Sequence, residues 1–98
     1  MQYTLEIVPA ANSELREISR WYDKQRFGLG VDFLLCAEEA LDVIRRNPQA
    51  YQKVTATVAR KLMMRFPYGI FFRLRNEIIE VIAVMHNHRD PVSWRKRI

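Results

Sequence analysis

Between Ile78 and Met85 the chain carries a single charge, Glu80. Read with the two-residue alternation of a strand, this run puts Ile79, Val81, Ala83 and Met85 on one face and Ile78, Ile82 and Val84 on the other. Both faces are apolar. Such a strand lies inside a sheet, either covered on two sides or covered on one and open to a partner on the other. It is far shorter than the roughly 20 apolar residues that cross a bilayer as a helix, so no membrane partner is expected.

The remaining sequence supplies elements to surround it. Tyr3 to Val8 alternates Tyr3, Leu5 and Ile7 against Thr4 and Glu6, which predicts a strand closed by Pro9. From Ala10 the apolar residues Ala11, Leu15, Ile18 and Tyr22 fall four, three and four apart, one stripe of a helix that Asn12 or Ser13 would cap. Phe27-Gly28-Leu29-Gly30 frees the backbone to turn. A second stripe follows at Leu34, Ala37, Leu41 and Ile44, and Asn47-Pro48 stops that helix. Joined by so short a link, the two helices should lie antiparallel with both stripes on one core. Strands are expected at Arg60–Phe66, Tyr68–Arg75 and Ile78–His86, with a turn at Asn76-Glu77. The predicted architecture is α+β: an N-terminal strand, an antiparallel helical hairpin, then three antiparallel strands, β-αα-βββ in a mainly antiparallel sheet.

Ninety-eight residues with 49% hydrophobic content suit one domain spanning 1–98 and exclude disorder. Cys36 is the only cysteine and is read as a small core residue. No secretory pattern opens the sequence, which points to the cytoplasm. The net charge of +5 is unevenly divided. Up to Ile44 there are four basic and eight acidic residues, giving −4; from Arg45 onward twelve basic and three acidic give +9. A surface of that sign attracts polyanions or an acidic protein, or simply keeps the chain soluble.

Two constellations can carry chemistry. His86 and His88 share a face at the end of the last strand, where they can act as acid and base in phosphodiester cleavage, bind a metal with Asp90, or hold the strand end by hydrogen bonds. Lys53, Arg60, Lys61, Arg65, Arg73, Arg75 and Arg89 form the second. Lys61 pairs with Arg65 on one strand face and Arg73 with Arg75 on the next, and such clusters suit phosphate or protect sheet edges. Phe66, Tyr68, Phe71, Phe72 and Trp94 can stack on bases or fill a core, with Trp94 anchoring the C-terminal segment. No phosphate loop, paired cysteines, hydrolase elbow or zinc-protease motif is present, so no metal and no cofactor is called for.

Arg65-Phe66-Pro67-Tyr68-Gly69-Ile70-Phe71-Phe72-Arg73, followed by Val84-Met85-His86-Asn87-His88-Arg89-Asp90-Pro91-Val92-Ser93-Trp94, resembles the RelE/ParE superfamily of type II toxins, closest to the ParE-like branch. Phe72 stands where a Tyr is common, and His88 where an Arg is common. Gly28-Leu29-Gly30-Val31-Asp32-Phe33 and Asn47-Pro48 extend the resemblance into the helices. It implies a toxin of a toxin-antitoxin system, neutralised by a cognate acidic antitoxin that wraps the helices and sheet; Leu15, Ile18, Tyr22, Met63 and Phe71 are the antitoxin-binding candidates. ParE-like members poison DNA gyrase by binding. Lys53, Arg60, Lys61, Arg65, Arg73, Arg75, Arg89, Trp94 and Arg95 are then the target-binding or nucleic-acid-binding candidates. RelE-like members cleave mRNA on the ribosome, and that alternative assigns catalysis to His86, His88, Arg89, Arg65 and Arg73. No Tyr follows Tyr68, which leaves only the His-dependent form of that mechanism. A toxin-fold binding module without activity is the third reading.

Overall fold

The computed structural model describes residues 3–88 and 92–97. Arg89, Asp90 and Pro91, part of the candidate C-terminal constellation, lie outside them. The order is β1 (Thr4–Ile7), α1 (Pro9–Gln25), α2 (Leu29–Arg46), a 3-10 turn (Pro48–Ala50), β2 (Val58–Leu62), β3 (Tyr68–Arg75), β4 (Ile78–His86) and a short α3 (Val92–Arg95). The β-αα-βββ order is the predicted one. The three later strands are antiparallel, but β1 joins β4 in parallel, and the sheet is therefore mixed, in the order β1-β4-β3-β2.

Pro9 starts α1, where its missing N–H costs nothing. The helix therefore begins one residue before Ala10, with Val8 at its N-cap and Asn12 and Ser13 inside it, so neither of those two caps it. Gly28 turns the chain in a left-handed conformation, φ 90°. Gly30 lets the helices touch: its N–H donates to Asp23 Oδ1 at 2.7 Å, and Ser19 Oγ donates to its carbonyl at 3.2 Å. A Cβ there would stand 2.3 Å from the Ser19 carbonyl oxygen, so any side chain forces the hairpin apart.

The stripe of α2 is rotated from the expected one. Phe33, Ala37, Ala40 and Ile44 are buried, whereas Leu34 is exposed and Leu41 only half-buried. Phe33 decides the rotation, because its ring meets Tyr22, Phe66 and Tyr68 at centroid distances of 5.7, 5.3 and 5.5 Å. β2 also differs, ending at Leu62 rather than Phe66. Beyond it the chain bends so that Phe66 can enter the same aromatic cluster, and Arg65 stands in a loop rather than on the strand face beside Lys61.

Along β4 the alternation breaks. Phe71 pairs with Ala83 and Phe72 with Val81, leaving Ile82 as an extra residue in a β-bulge. Ile79, Val81 and Val84 consequently face the hairpin core, while Ile82, Ala83 and Met85 face the opposite side, correcting the simple two-residue reading. That second side is also covered. Val58, Phe71, Ile82, Ala83 and Met85 lie under Trp94, whose side chain is fully buried and anchors α3 on the sheet.

The bulge falls where β1 stops. Val8 N–H donates to the Val81 carbonyl, and past that point β4 has no strand on its β1 side, while β3 continues along the other. Side chains take the strand's place: Glu14 of α1 accepts the Val84 N–H at 3.0 Å, and Arg97 donates to the Ile82 carbonyl at 2.8 Å. Arg97 also grips both Glu14 oxygens, at 3.0 and 2.9 Å. Hydrogen bonding to Glu14, opposed by burial and helped by the carboxylate's charge, holds the Arg97 pKa above the ordinary arginine value.

Candidate functional site

The sheet spreads the expected site residues over both of its faces and its ends. At the end of β4, His86 is half-buried with its ring 5.3 Å from that of Tyr68 and 5.4 Å from that of exposed His88. The two imidazoles are thus together, as the alternation predicts. The His88 backbone N–H donates to His86 Nδ1 at 3.2 Å. With Nδ1 accepting that bond, any further hydrogen bond of the ring is made through Nε2.

Tyr22 lies against the same group. Burial, and then the neighbouring Tyr68, raise the Tyr22 pKa above 10.0. A raised pKa means that folding favours the protonated phenol, so this contribution is complete below pH 10.0 and is lost as pH rises through the folded-state value. Thermal melts should show Tyr22→Phe losing less stability than the parent on the alkaline side. Equal losses in the two proteins would assign the alkaline sensitivity to other groups.

Arg73 and Arg75 do meet on one face of β3, but they meet on Glu80. Arg73 Nε donates to Glu80 Oε1 at 2.5 Å, and Arg75 lies 3.7 Å from Oε2. Their charge is shared with a half-buried carboxylate, which removes them as an open phosphate clamp. Lys53 is exposed on the loop that bridges to Ala59 at the outer edge of β2. Lys61 donates to the Leu62 carbonyl and lies over the Tyr51 ring, 5.5 Å from its centroid. Arg65, in its loop, stands 3.9 Å from Asp32 of α2 and over Phe66. It is therefore on the hairpin side of the molecule and not grouped with Arg73.

Arg60 of β2 and Arg95 of α3 line one cavity with Trp94, and His86 and Asn87 at the end of β4 line it too. Full burial takes Trp94 away from stacking on a target, contrary to its place among the binding candidates. Leu15, Met63 and Phe71 are likewise core residues and present little surface to an antitoxin, because the first two pack under the hairpin and Phe71 under Trp94. Ile18 and Tyr22 are half-buried. Among the described residues the large apolar side chains that do face outward are Trp21, Phe27, Val31, Leu34 and Leu35 on or beside the helices, Leu62 and Met64 at and after the end of β2, and Ile78 at the start of β4. Glu14, Asn87 and Arg97 also escaped the sequence reading, Arg97 because it sits in a basic run that resembles a solvated tail. Among the described residues no group of three His, Cys, Asp or Glu could hold a metal, and no helix is long and apolar enough to cross a membrane.

The comparisons with known proteins agree with this architecture. The profile of a family described as ParE toxin of type II toxin-antitoxin system, parDE, matches residues 5–91. The chain superposes on a structure described as a chromosomal ParDE TA system from P. aeruginosa with a TM-score of 0.79 and 15% identity, covering 87% of this chain and 96% of that one. It is also similar to a mutant of E. coli toxin RelE in the free state, with a TM-score of 0.71 and 16% identity over 100% of this chain and 99% of that one. No curated protein sequence matches the chain.

Proposed function

The chain belongs to the ParE toxin family of type II toxin-antitoxin systems, and from that premise we propose that it acts in the cytoplasm by binding DNA gyrase, with no bond-breaking chemistry of its own, until a cognate acidic antitoxin covers it. The observation that carries the choice is the state of the would-be catalytic groups. His86 has its Nδ1 engaged by the backbone of His88, Arg73 is held by Glu80, and Arg65 stands on the hairpin side near Asp32. The nuclease reading asks Arg65 and Arg73 to meet one phosphate beside the histidines, and they stand apart from each other, whereas a binding toxin needs no such grouping. The basic sheet half offers charge to an acidic partner, and the apolar row Val31, Leu34 and Leu35 offers surface to an amphipathic one.

The second reading is a ribosome-dependent mRNA endoribonuclease. It is favoured by the His86–His88 pair standing beside Tyr68 at the end of the sheet. The two readings separate cleanly. Purified protein should inhibit supercoiling by gyrase and leave mRNA intact in a translation mixture, and replacing His86 and His88 together with Ala should leave growth arrest unchanged. Normal supercoiling with cut mRNA, or loss of toxicity in the His variant while the fold is retained, establishes the nuclease instead.

A further inference from the structure

Six of the eight arginines that follow Ile44 in the described residues have an acidic partner: Arg45 and Arg46 share Asp42, Arg65 approaches Asp32, Arg73 and Arg75 share Glu80, and Arg97 holds Glu14. Arg60 and Arg95 have none among the described residues. Both line the same cavity of about 160 Å3 between β2, β3, the end of β4 and α3, where His86 is also part of the lining. Two unmatched guanidinium groups gathered at one hollow make a site whose missing component is an anion.

The surroundings define that anion further. Gly69 on β3 has no side chain, and the stem of Arg60 lies across it: a Cβ at Gly69 would stand 3.2 Å from Arg60 Cγ and Cδ and 3.6 Å from Asn87 Oδ1. Gly69 thus brings Arg60 and the Asn87 amide to one end of the hollow. Phe71, Val54 and the Trp94 ring make its apolar walls. Among the described residues the Trp94 Nε1–H, buried beside the cavity, has no hydrogen-bond partner. No described residue lining the cavity is acidic.

We propose that this cavity receives the side-chain carboxylate of an acidic peptide segment, with the aliphatic stem against Phe71 and Trp94 and the oxygens taken by Arg60, Arg95 and Asn87. The proposal rests on the reading that an acidic antitoxin is the partner, and it names where one of that partner's acidic residues docks. Size and lining favour a carboxylate on a hydrocarbon stem over a nucleotide. The volume is about half the lower limit of ordinary small-ligand pockets, roughly 300 Å3, and apolar walls suit a methylene stem better than a phosphodiester with a sugar on either side.

The test follows the indole N–H resonance of Trp94, told apart from that of Trp21 by a Trp21→Phe spectrum, during titration of the full chain. N-acetyl-glutamate N-methylamide should shift it. The glutamine counterpart, which lacks only the charge, should need about tenfold higher concentration. Arg60→Met, which keeps the stem over Gly69 and removes the guanidinium, should weaken the glutamate response about tenfold with the backbone spectrum unchanged. Equal responses to glutamate and glutamine, or an unaltered response in Arg60→Met, overturn the proposal. Dimethyl phosphate binding more tightly than the glutamate compound overturns it in favour of a nucleic-acid phosphate. Growth rescue by co-expressing a neighbouring acidic reading frame scores the antitoxin reading separately: failed rescue with a positive glutamate titration removes the partner and keeps the carboxylate site, whereas rescue unaffected by Arg60→Met together with a negative titration removes the site and keeps the partner.

Discussion

Trp94→Ala is expected to destabilise the protein by about 3–5 kcal/mol, the range for emptying a buried aromatic site. The reason is specific to the second sheet face. Trp94 is fully buried over Phe71, with ring centroids 5.3 Å apart, and shelters Val58, Ile82, Ala83 and Met85. Without it those side chains face water, and α3 loses the ring that holds it to the sheet. Urea denaturation measures the loss, and a dye that binds exposed apolar surface should bind the variant and not the parent. Trp94→Phe is the control: it keeps most of the ring and removes the unpaired Nε1–H, so the lost volume and the relieved orphan offset to within about 1 kcal/mol. Two equally mild variants would mean that the second face is stable without a cover.

Glu14→Ala should cost about 2–3 kcal/mol. One carboxylate there satisfies the Val84 N–H and both ends of the Arg97 fork, at distances of 2.9–3.0 Å. Its removal strands a strand N–H and a guanidinium together. The figure stays below the roughly 3–5 kcal/mol of a fully buried broken pair because the side chains retain 18% and 25% of their exposure. A double-mutant cycle with Arg97→Ala checks the assignment by denaturation. The double variant should lose clearly less than the sum of the two single losses, and simple additivity would show that Glu14 acts through Val84 alone.

Much of the architecture could be read from periodicity. The order of elements, the Leu15 and Tyr22 stripe of α1, the hairpin at Phe27–Gly30 and the two-sided character of β4 are local patterns, and local patterns survive folding. What escaped was set by residues distant in sequence. Alternation assigns Ala83 to the face of Val81, but the bulge at Ile82 reverses everything after it, and the bulge arises where β1 ends and α1 departs. The partial rotation of α2, which replaces Leu34 and Leu41 by Phe33 and Ala40 in the buried stripe and keeps Ala37 and Ile44, depends on Phe33 meeting Tyr22 of one helix and Phe66 and Tyr68 of the sheet half. Charge was legible as a total and not as free charge. Arg73 and Arg75 read as a phosphate clamp until Glu80 is seen between them, and Arg60 read as one cation among many until, among the described residues, it and Arg95 proved to be the arginines of the basic half without an acidic partner.

The parallel pairing of β1 with β4 also has a bearing on timing. Thr4 waits for Ile78, and Glu14 waits for Arg97, 83 residues later in the chain. At synthesis rates of about 5–20 residues per second, roughly 4–17 s separate the making of the two ends of that ion pair. During this interval the hairpin has emerged while the sheet edge is open and Trp94 has yet to be made. A newborn chain therefore cannot close this sheet edge until Arg97 has left the ribosome.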